Sequence, residues 1–178
     1  MQSGTQEKAP VEVACGLTEE IVRTFGEVRL RVYGTSMVPS ILPGDIVSIA
    51  QANLENVAPG EVVSFLQGGR LFVHRVVRCD APAKNWRTDT SRLITRGDRL
   101  QHEDPPVSGK ELLGRVVEVE RGGHKVKLLP QRSNSLIART LQSSDRATYL
   151  YVKAASFWRS LGLRSGSNRS FRRAKCQA

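Results

Sequence analysis

A serine hydroxyl becomes a nucleophile at neutral pH only beside a base. One serine of this chain sits where a turn would present it: Ser36, within Gly34-Thr35-Ser36-Met37-Val38-Pro39-Ser40-Ile41-Leu42-Pro43-Gly44-Asp45. Pro39 and Pro43 stiffen that segment, and Gly44 permits a backbone angle that a side chain would forbid. The base would be a histidine, a side chain whose ordinary titration range suits proton transfer near neutrality. The chain has three. His74 lies in the Val-rich run Phe72-Val73-His74-Arg75-Val76-Val77. His102 lies beside Asp104 in a Pro-containing loop and is the rival base. His124 falls at a hairpin tip, where exposure accounts for it. A carboxylate on the second ring nitrogen would fix the tautomer. Asp98 in Thr95-Arg96-Gly97-Asp98 and Asp104 in Glu103-Asp104-Pro105-Pro106-Val107 both qualify, and the residues alone do not choose between them. Backbone N–H groups of the turn, that of Ser36 first, would receive an oxyanion. Singly, each of these features is ordinary: a serine in a Gly/Pro turn, a histidine on an apolar strand, a Gly-Asp pair. Together they predict a serine peptidase with a Ser–His–Asp site, no metal and no cofactor.

The elements that must position these residues are mostly strands. Glu27–Tyr33 alternates apolar and charged residues and delivers the chain to Gly34. Asp45–Ala50 reads as the next strand, Asn53–Pro59 as a connection, and Glu61–Leu66 and Arg70–Cys79 as a hairpin about Gly68-Gly69. The segment 80–92 is polar and loop-like. Leu93–Thr95 is a short strand, Gln101–Gly109 a loop, and Leu113–Arg121 with Lys125–Leu129 a hairpin about Gly122-Gly123. Before the sheet, residues 1–16 read as a flexible lead-in. Leu17–Phe25 reads as a short helix, with Thr18 as N-cap and Ile21, Val22 and Phe25 on its inner face. After Pro130, positions such as Leu150, Ala154, Trp158 and Leu161 recur at helical spacing, and the Gly/Ser/Arg-rich end predicts disorder. The division is thus 1–26 lead-in and helix, 27–130 β domain, and 131–178 basic amphipathic tail.

The 178 residues carry a net charge of +10, and the excess is uneven. Residues 131–178 hold ten basic side chains against the single acid Asp145, leaving the β domain near neutral. A helix packed on the β domain with its charged face in water is the first reading of the tail; an anionic membrane surface is the partner its basic amphipathic pattern offers, with nucleic acid the weaker reading. Cys15, Cys79 and Cys176 are odd in number and show no metal-ligand spacing, so three free thiols are expected. No apolar run approaches the ~18–20 residues that span a bilayer, and residues 1–16 lack the apolar core of a secretion signal. A cytoplasmic chain, peripheral at the membrane through its tail, is the resulting expectation.

Four segments in order resemble the boxes of the signal peptidase I / LexA-type (S24/S26) serine peptidase superfamily. Ser36-Met37-Val38-Pro39-Ser40-Ile41 with Gly44-Asp45 is similar to S-M-x-P-x-(I/L)-x-x-G-D. Val73-His74-Arg75-Val76-Val77 resembles the H-R-(I/V)-(I/V) box of the archaeal and endoplasmic-reticulum-type signal peptidases, in which histidine replaces a general-base lysine. Thr95-Arg96-Gly97-Asp98 with Asp104-Pro105 and Val107 resembles T-K-G-D…D-P-x-x-V. Leu113-Gly114-Arg115-Val116 resembles the segment that follows. The resemblance implies a mainly β fold of coiled antiparallel sheets. It implies Ser36 as nucleophile, His74 as base, Asp104 orienting the histidine and Asp98 supporting the site. Gly34, Thr35 and Met37 would line the oxyanion side, and the substrate would be an extended peptide that pairs with an edge strand. Three departures bear on substrate: no transmembrane helix, Gly34 where many members carry a hydroxyl residue, and Gly97-Asp98-Arg99-Leu100 in place of G-D-N-N. Two other functions follow from the same residues. One is a LexA-like self-cleaving regulator whose tail binds nucleic acid, although no helix-turn-helix pattern precedes the core. The other is a non-catalytic β module.

Overall fold

The computed structural model describes residues 10–80, 91–128 and 145–160. Among the described residues, eight strands form one antiparallel sheet. They are β1 (Glu27–Arg31), β2 (Ile46–Gln51), β3 (Val62–Gln67), β4 (Arg70–Asp80), β5 (Arg92–Arg96), β6 (Val107–Ser108), β7 (Leu112–Arg121) and β8 (His124–Val126). The order across the sheet is β1-β2-β7-β3-β4-β5-β6, with β8 paired to β7. Helix α1 (Pro10–Phe25) precedes the strands and α2 (Asp145–Ser160) follows them. The mainly β, antiparallel class expected from the alternating runs is the class observed.

Two-residue hairpin turns close where the glycine pairs lie. Gln67 pairs with Arg70 across Gly68-Gly69 (φ +58° and +72°), and Arg121 with His124 across Gly122-Gly123 (φ +57° and +82°). Consecutive positive φ angles suit the right-handed twist of the flanking strands. The sheet is also bent. The register slips where Val117 of β7, Leu113 of β7 and Val77 of β4 are each the extra residue against their partner strand. Bulges of this kind sharpen the local twist and let a sheet coil on itself. Between β2 and β7 the backbones crowd: a Cβ on Gly114 would stand 2.2 Å from the Ala50 carbonyl oxygen, so only glycine fits.

Coiling gives the sheet two cores, one on each face. Val63, Phe65, Val76, Leu93, Val107 and Leu112 form the first, with Phe72 packed against them. Met37, Ile41, Val47, Ile49, Val62 and Val119 form the second. The period-two alternation of β3 and β4 sends Val63, Phe65, Phe72, His74 and Val76 to one face and Val62 and Arg75 to the other. His74 and Arg75 are neighbours in sequence and opposite in orientation.

Several boundaries differ from the sequence reading. Helix α1 begins at Pro10, so residues 10–16, read as lead-in, are helical. Thr18 is not its cap but a mid-helix residue whose hydroxyl donates to the Ala14 carbonyl (2.8 Å). The docked face is Cys15, Thr18 and Val22, at helical spacing, whereas Ile21 and Phe25 are exposed. The connection 53–59 contains a 3-10 turn at Leu54–Asn56, and the loop 101–109 contains β6. Expectations attached to the segment 81–90, to Leu136, Ile137 and Leu141, to Leu161, to Cys176 and to the Gly/Ser/Arg-rich end lie outside the described residues. Cys15 and Cys79 are free thiols. Among the described residues, no helix is long and apolar enough to cross a membrane.

Candidate active site

The turn that carries Ser36 leaves β1 and returns into β2. It is tied at its base and in its middle. The Val32 N–H donates to the Asp45 carbonyl (2.8 Å) and the Gly44 N–H to the Val32 carbonyl (2.7 Å). Gly44 adopts φ +89°, and the Val38-Pro39 peptide is cis. The side chains of Met37 and Ile41 are buried in the second core and pin the turn from beneath. Asp45, fully buried, accepts from the Leu42 N–H (2.8 Å) and from the Arg121 guanidinium, whose Nη2 lies 2.7 Å from Oδ2. The same Nη2 donates to the Ser40 carbonyl (3.1 Å). One charge-assisted network thus fixes both ends of the 40–45 segment.

Strand β4 brings His74 to this turn. Its Nε2 lies 3.0 Å from Ser36 Oγ and its Nδ1 lies 2.6 Å from Asp104 Oδ2. An ionised carboxylate only accepts, so the proton of that second contact sits on Nδ1. In its neutral form such a ring would offer its Nε2 lone pair to the serine hydroxyl, the tautomer a general base requires. The imidazole is buried, its edge towards the Phe65 ring (centroids 6.1 Å) and tilted against Phe72 (5.7 Å). Those two rings pack against the imidazole and hold its plane.

Asp104 is held in turn by Thr95. The Thr95 hydroxyl donates to Asp104 Oδ2 (2.7 Å), the oxygen that faces His74, and the Asp104 N–H donates to the Thr95 carbonyl (2.8 Å). Thr95 is fully buried and faces the same core as Val76, its partner across β4 and β5. In sequence it is one letter of a box with no role of its own. The signal it does carry is a hydroxyl at an inward position of an otherwise apolar strand, because a buried hydroxyl needs a partner.

The two aspartates between which the sequence does not choose have separate places. Asp104 meets the histidine. Asp98 meets Arg75 on the opposite face of β4, with Nε to Oδ1 and Nη2 to Oδ2 both at 2.8 Å, and it also receives the Ser40 hydroxyl. Arg75 donates further to the Gly60 carbonyl (2.8 Å). Both members of this bidentate pair are buried. Asp98 therefore acts on the serine turn from behind, through Ser40. The turn it belongs to also grips Ser36: the Arg99 N–H donates to the Ser36 carbonyl (2.8 Å), and Gly97 lies so close that a Cβ would stand 2.8 Å from that oxygen.

Of the remaining candidates read from the sequence, Met37 is a core side chain, Gly34 is exposed with nothing within 4 Å of where a Cβ would point, and Thr35 accepts the Val38 N–H through its carbonyl (3.2 Å). Among the described residues, no hydrogen-bond partner meets the backbone N–H of Ser36 or Met37. His102 and His124 are exposed. Among the described residues, no group of His, Cys, Asp and Glu is placed to hold a metal ion. Burial pushes the Cys79 thiol up, aided by Asp80 and Glu61, which disfavours the thiolate.

Ser36, His74 and Asp104 thus stand in hydrogen-bonded series on one antiparallel sheet. Comparison with known families bears on the chain at a coarser level. Residues 5–87 match the family model described as Peptidase S24-like, which supports a place in the S24/S26 peptidase superfamily. The matched stretch contains Ser36 and His74 and ends before Thr95, Asp98 and Asp104. No curated protein matches the chain.

Proposed function

We propose that the chain is a serine endopeptidase that hydrolyses peptide bonds through Ser36, His74 and Asp104. The observation that carries this reading is the unbroken series from Ser36 Oγ to His74 Nε2 (3.0 Å) and from His74 Nδ1 to Asp104 Oδ2 (2.6 Å). In the reaction, Ser36 Oγ attacks the scissile carbonyl as Nε2 takes its proton. The imidazolium is stabilised by Asp104 and returns the proton to the leaving amine. Water then enters by the same route and releases the acyl group. The N–H groups of Ser36 and Met37 are the donors for the oxyanion. Strand β1 is an edge of the sheet and runs directly into the serine turn, so a peptide added along that edge leads its scissile bond to Ser36.

A fluorophosphonate probe tests the site without knowledge of the substrate. It should add one adduct, mapped by peptide mass spectrometry to Ser36, and Ser36→Ala and His74→Ala should each remove it while the fold persists. Equal labelling of Ser36→Ala would end this reading.

The match to a Peptidase S24-like model favours a second reading, a LexA-like regulator that cuts its own chain. Intact mass followed over days distinguishes the two. Self-cleavage shows as fragments that Ser36→Ala does not produce. For the basic tail we propose an anionic membrane surface, tested by co-sedimentation with vesicles containing phosphatidylserine. The exposed Tyr149 and Lys153 of α2 support that partner.

A further inference from the structure

The nucleophile turn has two sides. Its inner side is pinned by Met37 and Ile41 in the second core. Its outer side is Val38 and Leu42, which belong to neither large core and form a separate small cluster. Both are nonetheless buried, at 0% and 2% exposure. Among the described residues, the partly buried apolar side chain packed against them is Val152 of α2. One turn earlier on the same helical face, Thr148 is buried and accepts from Arg99 Nη1 (3.2 Å). Arg99 is the residue whose N–H holds the Ser36 carbonyl. Helix α2 therefore reaches the serine by two routes, through Val152 to Val38 and through Thr148 and Arg99 to the Ser36 backbone.

The opposite face of the helix is built differently. Arg146, Tyr149, Leu150 and Lys153 are exposed, and the Lys153 ammonium lies 5.4 Å from the Tyr149 ring centroid. The inner face serves the turn and the outer face is left for something else.

We propose that α2 is a brace for the nucleophile. Thr148 and Val152 are positioning residues that hold Ser36 in register with His74, and displacement of the helix lowers the reactivity of the serine. This rests on the serine peptidase reading. It adds that the basic segment after the sheet governs the site rather than merely trailing from it. A partner that draws the outer face away slows the enzyme, and one that presses the helix home sustains it.

The test uses the full chain and the fluorophosphonate probe. Val152→Asp places a charge against Val38 and Leu42. Val152→Ile keeps the contact. Leu150→Asp puts the same charge on the outer face. Val152→Asp should slow the maximal rate of Ser36 acylation at least tenfold, with the probe concentration for half-maximal rate and the urea midpoint of the sheet little changed. Val152→Ile and Leu150→Asp should stay within twofold of the unaltered chain. Acylation of Val152→Asp at the unaltered rate would overturn the brace while leaving the peptidase reading intact. A similar slowing by Leu150→Asp would overturn it too, because charge anywhere on the helix would then suffice. If Val152→Asp does not fold cooperatively, Thr148→Val decides: a threefold or larger loss of acylation rate at unchanged stability supports the brace, and none overturns it. An unaltered chain that the probe does not label removes the peptidase reading itself, and the brace with it.

Discussion

Replacing Gly97 by alanine tests how tightly the serine is held. The added methyl would stand 2.8 Å from the Ser36 carbonyl oxygen, 3.0 Å from Ser36 Cβ and 3.0 Å from Leu100 Cγ. Carbon contacts settle at about 3.5–4.0 Å, so something must retreat by about 0.5 Å. The Leu100 side chain can swing away. The Ser36 backbone cannot do so freely, because the Arg99 N–H holds its carbonyl and Met37 anchors the next residue in the core. A retreat of that size would stretch the 3.0 Å contact between Ser36 Oγ and His74 Nε2 towards about 3.5 Å, beyond useful hydrogen-bond length. A misplacement of about 1 Å costs on the order of 100-fold in rate. Gly97→Ala should therefore lose about 10- to 100-fold in acylation rate, with an overpacking cost of about 1–3 kcal/mol in stability. The assay is fluorophosphonate labelling of Ser36 followed by intact mass, beside urea unfolding. Gly16→Ala is the control: its methyl points into open space in the interior of α1, so stability should rise slightly and labelling should not change. Unaltered labelling and stability in Gly97→Ala would refute the claim that the 97–99 turn sets the position of the serine.

Three further substitutions probe other contacts. Thr95→Val keeps the volume and removes one of the two donors on Asp104 Oδ2, so labelling should fall about tenfold while the urea midpoint drops modestly; an unchanged rate would show that Asp104 needs no help. Asp98→Asn leaves the Arg75 guanidinium buried without its counter-charge and should cost about 3–5 kcal/mol in urea unfolding, against a small effect if the pair were exposed. For Glu111, burial pushes the carboxyl up, but hydrogen bonds from the Ser108 side chain and N–H and from Gln67, with the charge of Arg92, outweigh it and hold the carboxyl below its usual range. Its contribution to stability is therefore complete above the ordinary glutamate range near pH ~4.3 and is lost as pH falls through the lowered folded value. Glu111→Gln should flatten that part of an acid titration of stability, and an identical acid limb in both proteins would count against it.

The strands are legible in the sequence because their signals are local. Alternation in Glu27–Arg31 and the glycine pairs at 68–69 and 122–123 each specify a conformation within a few residues. What the sequence hides depends on distant partners. The bulges at Val77, Leu113 and Val117 are visible only once two strands are set side by side. Helix α1 reads short because Pro10, Ala14 and Gly16 carry no apolar repeat. Its buried face uses Cys15 and Thr18, which a hydropathy pattern overlooks. Ile21 and Phe25 look inward-facing because they are apolar, yet the sheet offers α1 only one narrow contact line.

The same distinction runs through the site. Ser36 is legible in the sequence through the Gly/Pro-constrained turn around it, whereas His74 is set apart from His102 by the resemblance of Val73-His74-Arg75-Val76-Val77 to a family box. The choice between Asp98 and Asp104 cannot be made that way, since both follow β5 and both carry the same group. The sheet decides it. The side chains of His74 and Arg75 leave β4 on opposite faces, and each finds a carboxylate on its own side. One aspartate thus meets an imidazole that must gain and lose a proton, and the other a guanidinium that never does. Exchanging the two partners would take a one-residue slip of β4. That slip would also turn Phe72 and Val76 out of the first core, so the apolar packing of the strand specifies which carboxylate serves the histidine.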